Sequence, residues 1–437
     1  MTNDLLTKLI QDLDGRQAKL AELERYYAGE QAMAFLSPEA KTALGDRFTR
    51  MASNLPRLAV TSLAERLRVN GFTVAGEASP ELWGSWLAND LDQMAPVAHR
   101  EALSLGNSYA TVWADATGKP NVSVESARQV TVLTDPGSRE VVAAVKRWQT
   151  STATGLPDKV FAVVYERDKI TRYVSNSTTA AAFTATDTID NPLGVVPVVP
   201  LRNGDRLLDD GASEMADLIP LVDALNKSLA DMLVGSEYYA RPRRWATGLE
   251  LVDDPDTGDA VNPIPEGNRT MVNESPEGKF GSLPAADLGA YEASVRVILS
   301  QIMAVSALPA HYVGALASTP PSADALRAAE ASLTARAEAR QAVFGRSWEQ
   351  VGRLMLAVET GAAPESFDVR VQWADPATRS LAQEADAVVK LFTAGLLPAS
   401  AALARLGYSD DEVTAIRAAR RAEALDSQAV NLDGLVS

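Results

Sequence analysis

Few residues in this sequence have the type and spacing that catalysis requires. The 437 residues include two histidines, His99 and His311, and no cysteine, which excludes thiolate nucleophiles, disulfides and cysteine-ligated zinc. No GxxxxGK[ST], GxSxG or HExxH motif is present, and GNSYA at 106–110 lacks the second glycine of a nucleophile elbow. A helix-to-strand turn explains GNSYA better. A lone histidine is far more often packed or solvated than catalytic, so we predict no catalytic role for either one.

The acidic segment DDPDTGD at 253–259 has the composition of a calcium loop without its spacing. In the EF-hand register from Asp254, position five is Gly258 and position twelve is Pro265 in place of a bidentate glutamate. An acidic hairpin turn fits better. The 57 Asp and Glu residues also show no spacing that singles out an acid–base pair. The sequence therefore predicts no metal, no cofactor and no enzymatic activity, and it favours a structural or interaction role.

Arginine is concentrated at two places in an otherwise acidic chain. ARPRRW contains Arg241, Arg243 and Arg244, whose guanidinium forks suit phosphate groups or a partner protein, although a solvated turn explains them equally well. A second group, at 417–421, shares one face of a predicted C-terminal helix, where a solvated face is the better explanation.

Composition and charge limit the class of protein. A hydrophobic content of 46% is normal for a chain with a real core. The net charge of −16 argues against gripping nucleic acid by broad phosphate neutralisation, but it is compatible with nucleic acid that slides past an acidic wall. The first residues lack a basic and then apolar leader, and no apolar run approaches the ~18 residues of a membrane span. We expect a soluble protein that works in a cytoplasm.

The N-terminal half changes from a helical to a strand period. Apolar residues at helical spacing predict three helices, over 1–36, 51–70 and about 92–105. Short β-rich runs follow, separated by turn clusters such as TDPGS and TATGLPD, and they predict an antiparallel meander over 109–201. The chain is therefore expected to have an α+β fold.

Helical periodicity returns at residue 213. A narrow apolar seam runs along this helix, and Pro220 should kink it or mark its true start. A turn-rich stretch precedes the next helix, at 286–306. The longest predicted helix covers about 323–358, with Ser322 as its N-cap.

The connection between the last two helices is unusually long and poor in large side chains. It includes HYVGALASTPPS, and loops of more than ~12 residues in a compact domain are usually functional or disordered. Small residues demand little burial, and Pro320 and Pro321 reduce the freedom of an exposed tip. The composition therefore suits a loop that projects away from its own domain.

The order and spacing of several segments is the most specific feature of the sequence. In chain order they are YYAGEQ, NLPRLAVTSLAERLRVNGF, LGVVPVVPLRN, SEMADLIPLVDALNKSLADML and STPPSADALRAAEASL. This order resembles that of the portal proteins of tailed bacteriophages, particularly long-tailed phages of actinobacteria, over nearly the whole chain. The resemblance implies a ring of usually twelve subunits at one capsid vertex, the head–tail connector through which DNA is packaged and later ejected.

The resemblance also implies a division into parts. They are a wing at 1–210 that includes the meander, stem helices at 211–240 and 286–306, a small α/β clip at 241–285, a tunnel loop at 307–322, a long helix with a return to the wing at 323–374, and a helical crown at 375–437. The clip lacks a strong sequence marker. Arg241, Arg243 and Arg244 become its expected contacts with phosphate or a partner.

The tunnel loop supplies the expected channel-facing residues. They are His311, Tyr312, Gly314, Ser318, Thr319 and Pro320. His311 or Tyr312 could equally pack beneath the loop.

The implied partners are those of a portal vertex. They are other copies of the chain, double-stranded DNA, the terminase large subunit, the major capsid protein with its scaffold, and a head–tail adaptor, with no membrane. The resemblance places the protein in the virion after assembly in the host cytoplasm. Two alternatives stay open: another head or neck structural protein without a DNA channel, and a hydrolase that uses unlocated carboxylates.

Overall fold

The chain folds into two units of different make-up. The computed structural model describes residues 2–32, 52–152, 155, 157–204, 206–208, 210–239, 244–248, 252–253, 260–261, 277–282, 289–314, 322–377, 381–408 and 410–433. Contacts divide the chain into a large unit, Met1–Pro376, and a small unit, Ala377–Ser437. Helices and antiparallel strands both build the large unit, whereas the elements described in the small unit are helical. The predicted α+β class is confirmed.

The large unit contains seven of the described α-helices, and the described elements of the small unit are three α-helices. In the large unit they are α1 (Thr2–Ala28), α2 (Leu55–Ala64), α3 (Pro80–Ala88), α4 (Leu91–Leu105), α5 (Ile219–Tyr239), α6 (Gly289–Ser306) and α7 (Ala323–Thr360). In the small unit they are α8 (Leu381–Thr393), α9 (Ala399–Arg405) and α10 (Asp410–Asp433). The arginines at 417–421 are exposed on α10, so the solvated-face interpretation is confirmed.

Local rules set the starts of α5 and α7. Ser322 caps α7, and its Oγ accepts a hydrogen bond from the Ala325 amide at 3.2 Å. Pro220 is the second residue of α5, where its missing N–H has no partner to lose, so it marks the start of the helix and causes no kink.

Short strands fill the segments between the helices. They are β1 (Val69–Val74), β2 (Glu77–Ala78), β3 (Asn107–Ala114), β4 (Pro120–Ser126), β5 (Val130–Thr134), β6 (Val141–Ser151), β7 (Pro157–Glu166), β8 (Lys169–Ser175), β9 (Thr184–Asp190), β10 (Val198–Arg202), β11 (Arg244–Thr247), β12 (Val252–Asp253), β13 (Ala260–Val261), β14 (Lys279–Ser282) and β15 (Val369–Trp373). β12 pairs with β13, which confirms a hairpin around the acidic segment, although residues 254–259 lie outside the described ones.

The predicted single meander is two sheets. Strands β5 to β9 form a five-stranded meander in chain order, but β3 and β4 belong to a separate sheet with the order β10-β3-β4. The division arises because β10 returns to pair with β3, with Val199 opposite Ala110. Gly106 of GNSYA is the turn between α4 and β3, as expected, and the other four residues begin the strand.

The predicted helix at 51–70 is wrong at its C-terminal end. α2 ends at Ala64, and β1 begins five residues later and pairs with β15 from the far end of the large unit. Phe72, buried to 2% exposure, lies opposite Val371. This pairing spans about three hundred residues of chain, and such tertiary contacts override local helical spacing.

One face of α7 forms the spine of the main core. Phe344, Trp348 and Val351 are fully buried at helical spacing and pack against α4, β1 and the β10-β3-β4 sheet. Gly345 and Gly352 lie where α7 crosses β15, and an added Cβ would come within 3.0–3.2 Å of Val371 or Val369. The two glycines therefore allow the close approach of helix and sheet.

His99 is part of this core and not of a catalytic site. Its ring stacks on Phe344 at 5.4 Å between centroids, and its Nε2 accepts a hydrogen bond from Trp348 Nε1 at 2.8 Å. The side chain is fully buried, and burial lowers its pKa from 6.5 to about 3, so His99 is neutral. Of the two states that the sequence left open for His99, packed or solvated, the structure shows the packed one.

α1 covers one face of the five-stranded sheet. Leu6, Leu9 and Ile10 pack against Val145 and Val164 in a separate core cluster. This packing accounts for the apolar spacing at the start of the sequence. Among the residues that the structure describes, no helix has the length and apolarity to cross a membrane.

Candidate functional site: the base of the 307–322 loop

The long loop starts from a packed pair of helices. α5 and α6 share an apolar seam whose buried members include Val222, Leu225 and Ile302. Val297 of α6 is 62% exposed, so part of the apolar surface of this pair is uncovered in the single chain.

A buried carboxylate joins this helix pair to α7. Glu214 Oε1, just before α5, accepts hydrogen bonds from Arg340 Nη2 at 2.6 Å and Nε at 2.9 Å, and both side chains are only 9% exposed. Arg336 Nη1 lies 3.4 Å from Glu214 Oε2. Arg336 also donates to the carbonyls of Val305 at 3.0 Å and Ser306 at 3.2 Å. Two arginines of α7 thus hold the start of α5 and the end of α6 together.

The first part of the loop is a short ordered turn. Ala307 has a positive φ of 58°, and residues Ala310–Val313 form a single 3-10 turn that ends at Gly314 with a φ of 75°. Leu308 is buried in the seam between α5 and α6. The loop base at 307–314 is therefore folded onto the large unit.

Arg66 ties this turn to α7 and to the end of the large unit. Its Nη2 donates to Glu330 Oε2 at 3.0 Å and to the Tyr312 hydroxyl at 3.4 Å. Its Nη1 donates to the Pro376 carbonyl at 2.7 Å and to Thr334 Oγ1 at 3.4 Å. The Arg66 side chain is 8% exposed. One guanidinium therefore contacts residues from three separate segments of the chain.

His311 and Tyr312 lie in the packed arrangement that the sequence left open. His311 Nε2 is 3.5 Å from Glu330 Oε1, and the side chain is 24% exposed. The Tyr312 ring meets the His311 ring edge-on at 4.8 Å and contacts the core clusters on both sides of it. In the single chain both rings pack at the loop base, His311 beside Glu330 of α7 and Tyr312 against the main core.

The remaining predicted site residues are not brought together by the described part of the chain. Gly314 ends the turn at the loop base. Ser318, Thr319 and Pro320 lie outside the described residues, as do Arg241 and Arg243.

Arg244 lies at the start of a short strand in the turn-rich segment. It begins β11 and pairs with Ser282 of β14, so an antiparallel pair closes this part of the turn-rich segment. In the described residues, no cluster of His, Asp and Glu suits a metal ion.

The sequence reasoning missed the charged residues that build the loop base. Arg66, Glu214 and Glu330 have no local marker, because a buried charge and a solvated one look alike in sequence. Arg340 did carry a signal: it falls on the apolar stripe of α7 between Ala337 and Phe344. A charge at such a position is expected to have a buried partner.

Comparison with known proteins decides the family. The model of the family described as "Phage portal protein, SPP1 Gp6-like" matches residues 6–428. This chain belongs to the phage portal protein family. The predicted family is confirmed, and so is the prediction of a structural protein without enzymatic activity, since portal proteins are structural components of the virion. The hydrolase alternative is thereby excluded.

Curated relatives agree with the family. The portal protein of Mycobacterium phage D29 is 33% identical over 380 residues, which cover 81% of this chain and 76% of that one. The portal protein of Mycobacterium phage L5 is 31% identical over 378 residues, covering 82% and 76%. Both relatives come from phages of actinobacteria, the group that the sequence order indicated. Portal family membership supports a homo-oligomeric ring within the phage particle.

The solved structures that match this chain include chains of gene transfer agent particles. A chain of the "virion of native gene transfer agent (GTA) particle" has a TM-score of 0.49 and 14% identity, covering 90% of this portal-family chain and 94% of that chain. A chain of the "neck of empty GTA particle" has a TM-score of 0.49 and 14% identity, covering 88% and 98%.

Proposed function

We propose that about twelve copies of this chain form a ring-shaped channel at one vertex of the capsid, through which DNA is packaged and later ejected. The observation that carries the proposal is the portal family match over residues 6–428.

The proposed division into parts assigns the elements of the chain to the parts of a portal subunit. α5 and α6 are the proposed stem, and residues 307–322 are the proposed tunnel loop. The region before α5 is the wing, to which α7 and β15 return. Residues 241–285 form the clip, and the helices α8 to α10 form the crown.

The proposed channel works by shape and charge, with no bond made or broken. Twelve chains of −16 carry a formal charge of −192. An acidic wall repels phosphate over a Debye length of ~8 Å, which keeps DNA from adhering while it moves. In the proposed loop, Ser318, Thr319 and Pro320 would approach the DNA, with His311 and Tyr312 at the base.

The proposed partners dock at the two ends of the ring. The clip, with Arg241, Arg243 and Arg244, meets the terminase large subunit during packaging and the head–tail adaptor afterwards. The wing and crown face the major capsid protein and its scaffold. We place ring assembly in the host cytoplasm.

The mass and shape of the purified protein test this proposal first. Native mass spectrometry should give about twelve copies of the 46.5 kDa chain, near 560 kDa, and negative-stain images should show a central hole. The measurement is made with the full chain, alone and with scaffold, because portal subunits can await scaffold before closing. A compact monomer under both conditions would contradict the ring.

Deleting residues 315–319 is expected to leave the ring intact and to impair DNA packaging or retention. The deletion starts after Gly314, so it spares the folded loop base and the contacts of Arg66. Ring mass and the DNA content of particles are the two measurements.

A five-residue Gly–Ser replacement of the same segment is the matched control. It keeps the length of the loop, so it should retain more DNA than the deletion does. Normal packaging by the deletion would remove the functional claim for the loop while leaving the ring proposal standing.

A further inference from the structure

The loop base depends on one buried arginine outside the loop. Arg66 lies just after α2, far from the loop in sequence, and its guanidinium reaches Tyr312, Glu330 and Pro376. Each of these belongs to a different segment: the loop base, α7 and the end of the large unit. Removal of this one side chain would therefore remove four hydrogen bonds at the point where the three segments meet.

Arg66 carries its positive charge in this environment. Burial alone lowers the pKa of Arg66, but the hydrogen bonds and charge of Glu330, with a further contribution from Tyr312, outweigh it and raise the pKa above its ordinary value. Glu330 meets Arg66 through one carboxylate oxygen and His311 through the other, with a side-chain exposure of 12%. The carboxylate thus links the His311 ring to the same guanidinium.

We propose that Arg66 is the positioning residue of the tunnel loop. It fixes Tyr312 directly and His311 through Glu330, so that the loop leaves the subunit from a held point at Gly314. The inference rests on the proposed channel function of the loop. Beyond that function, it assigns to Arg66 the role of fixing the position at which the loop begins. This position must be the same in every subunit of a ring.

The geometry requires arginine and not merely a positive charge. The four acceptors lie 2.7–3.4 Å from the two terminal nitrogens of Arg66. The planar guanidinium can donate hydrogen bonds from both nitrogens at once. A lysine could hold Glu330 but has a single terminal nitrogen. We therefore expect Arg66→Lys to behave between the wild type and Arg66→Gln.

Hydrogen exchange of the full-length protein is the direct test. The Tyr312 amide donates to the Pro309 carbonyl and the Gly314 amide to the Ala310 carbonyl, so the turn contains amides whose protection reports its order. In Arg66→Gln these amides are expected to exchange about tenfold faster or more, while those of α5 and α6 stay at the wild-type rate.

Arg68→Gln is the matched control. Arg68 lies two residues away, and its Nε donates to the Glu65 carbonyl at an exposed position. This variant removes an arginine from the same segment and should leave exchange in the loop base unchanged. Equal exchange in Arg66→Gln and Arg68→Gln would overturn the proposal.

Tyr312→Phe removes the hydroxyl contact alone and does not threaten folding. If Arg66 acts on the loop through this contact, the effects of Arg66→Gln and Tyr312→Phe on exchange will be less than additive in the double variant. Full additivity would mean that Arg66 supports the fold without positioning the turn.

DNA content separates this inference from the proposed function. Faster exchange together with reduced DNA retention in intact rings supports it. Faster exchange with normal retention would overturn the link between loop position and DNA, although the wild-type ring would still show a hole. A wild-type protein that forms no ring would instead defeat the proposed function, whatever Arg66 does to exchange.

Discussion

Replacing Glu214 by glutamine is expected to lower the free energy of unfolding by about 3 kcal/mol. The substitution keeps the size of the side chain but removes the charge that neutralises Arg340 at 9% exposure and faces Arg336. A buried ion pair that loses one partner leaves an uncompensated charge in a medium of low polarity. The stability lost in the variant is therefore larger than the net stabilisation that the intact ion pair provides.

Denaturant unfolding of wild type and variant measures this effect. Glu292→Gln is the matched control, because Glu292 pairs with Arg296 on α6 with both side chains more than 70% exposed. Exposed pairs contribute about 0–1 kcal/mol. Similar losses in the two variants would contradict the view that burial makes the Glu214 cluster important.

Acidification from pH 6.5 to 4.5 is expected to remove roughly 2 kcal/mol of stability through His99 alone. Burial lowers the pKa of folded His99 from 6.5 to about 3, so the native protein leaves this ring neutral. The unfolded chain takes up a proton below pH 6.5, and the folded chain does so only near pH 3. Well between these values each pH unit favours the unfolded chain by about 1.4 kcal/mol, and the slope is about half as steep at pH 6.5, where the unfolded histidine is half protonated.

His99→Gln is the variant that isolates this contribution. The substitution is expected to lower stability at neutral pH, because it loses the stack on Phe344 and changes the bond to Trp348. The informative quantity is the slope of unfolding free energy against pH, since the carboxylates titrate in both proteins. The slope between pH 4.5 and 6.5 should be shallower in the variant, and equal slopes would show that His99 does not titrate as its burial requires.

Both predictions concern α7, which serves the core and the loop at once. Trp348 and Phe344 anchor its C-terminal part in the large unit, while Arg336, Arg340 and Glu330 hold the helix pair and the loop base at its N-terminal part. A single rigid helix thus connects a well-packed core to a segment that is proposed to meet DNA. Loop position in the proposed ring depends on how firmly this helix is held.

The sequence by itself determined most of the helices and the family. Apolar spacing is a local property, so α1, α4, α6 and α7 follow from it, and Ser322 marks the start of α7 through its own side chain. The order of several weakly specific motifs was enough to identify the family, because the order of segments persists where single residues change. For His99 the sequence predicted a packed or solvated side chain, and the fold decided that it is packed.

Only the tertiary structure decided which strands pair and which charges are buried. β1 and β15 lie some three hundred residues apart, and neither has a local signal strong enough to oppose the helical spacing at 51–70. Arg66 resembles its exposed neighbour Arg68 in sequence, and they differ only because the fold brings Glu330 and Tyr312 to one of them. Whether a charged side chain is buried, and which residue it pairs with, depends on how distant segments pack. No local sequence pattern carries that information.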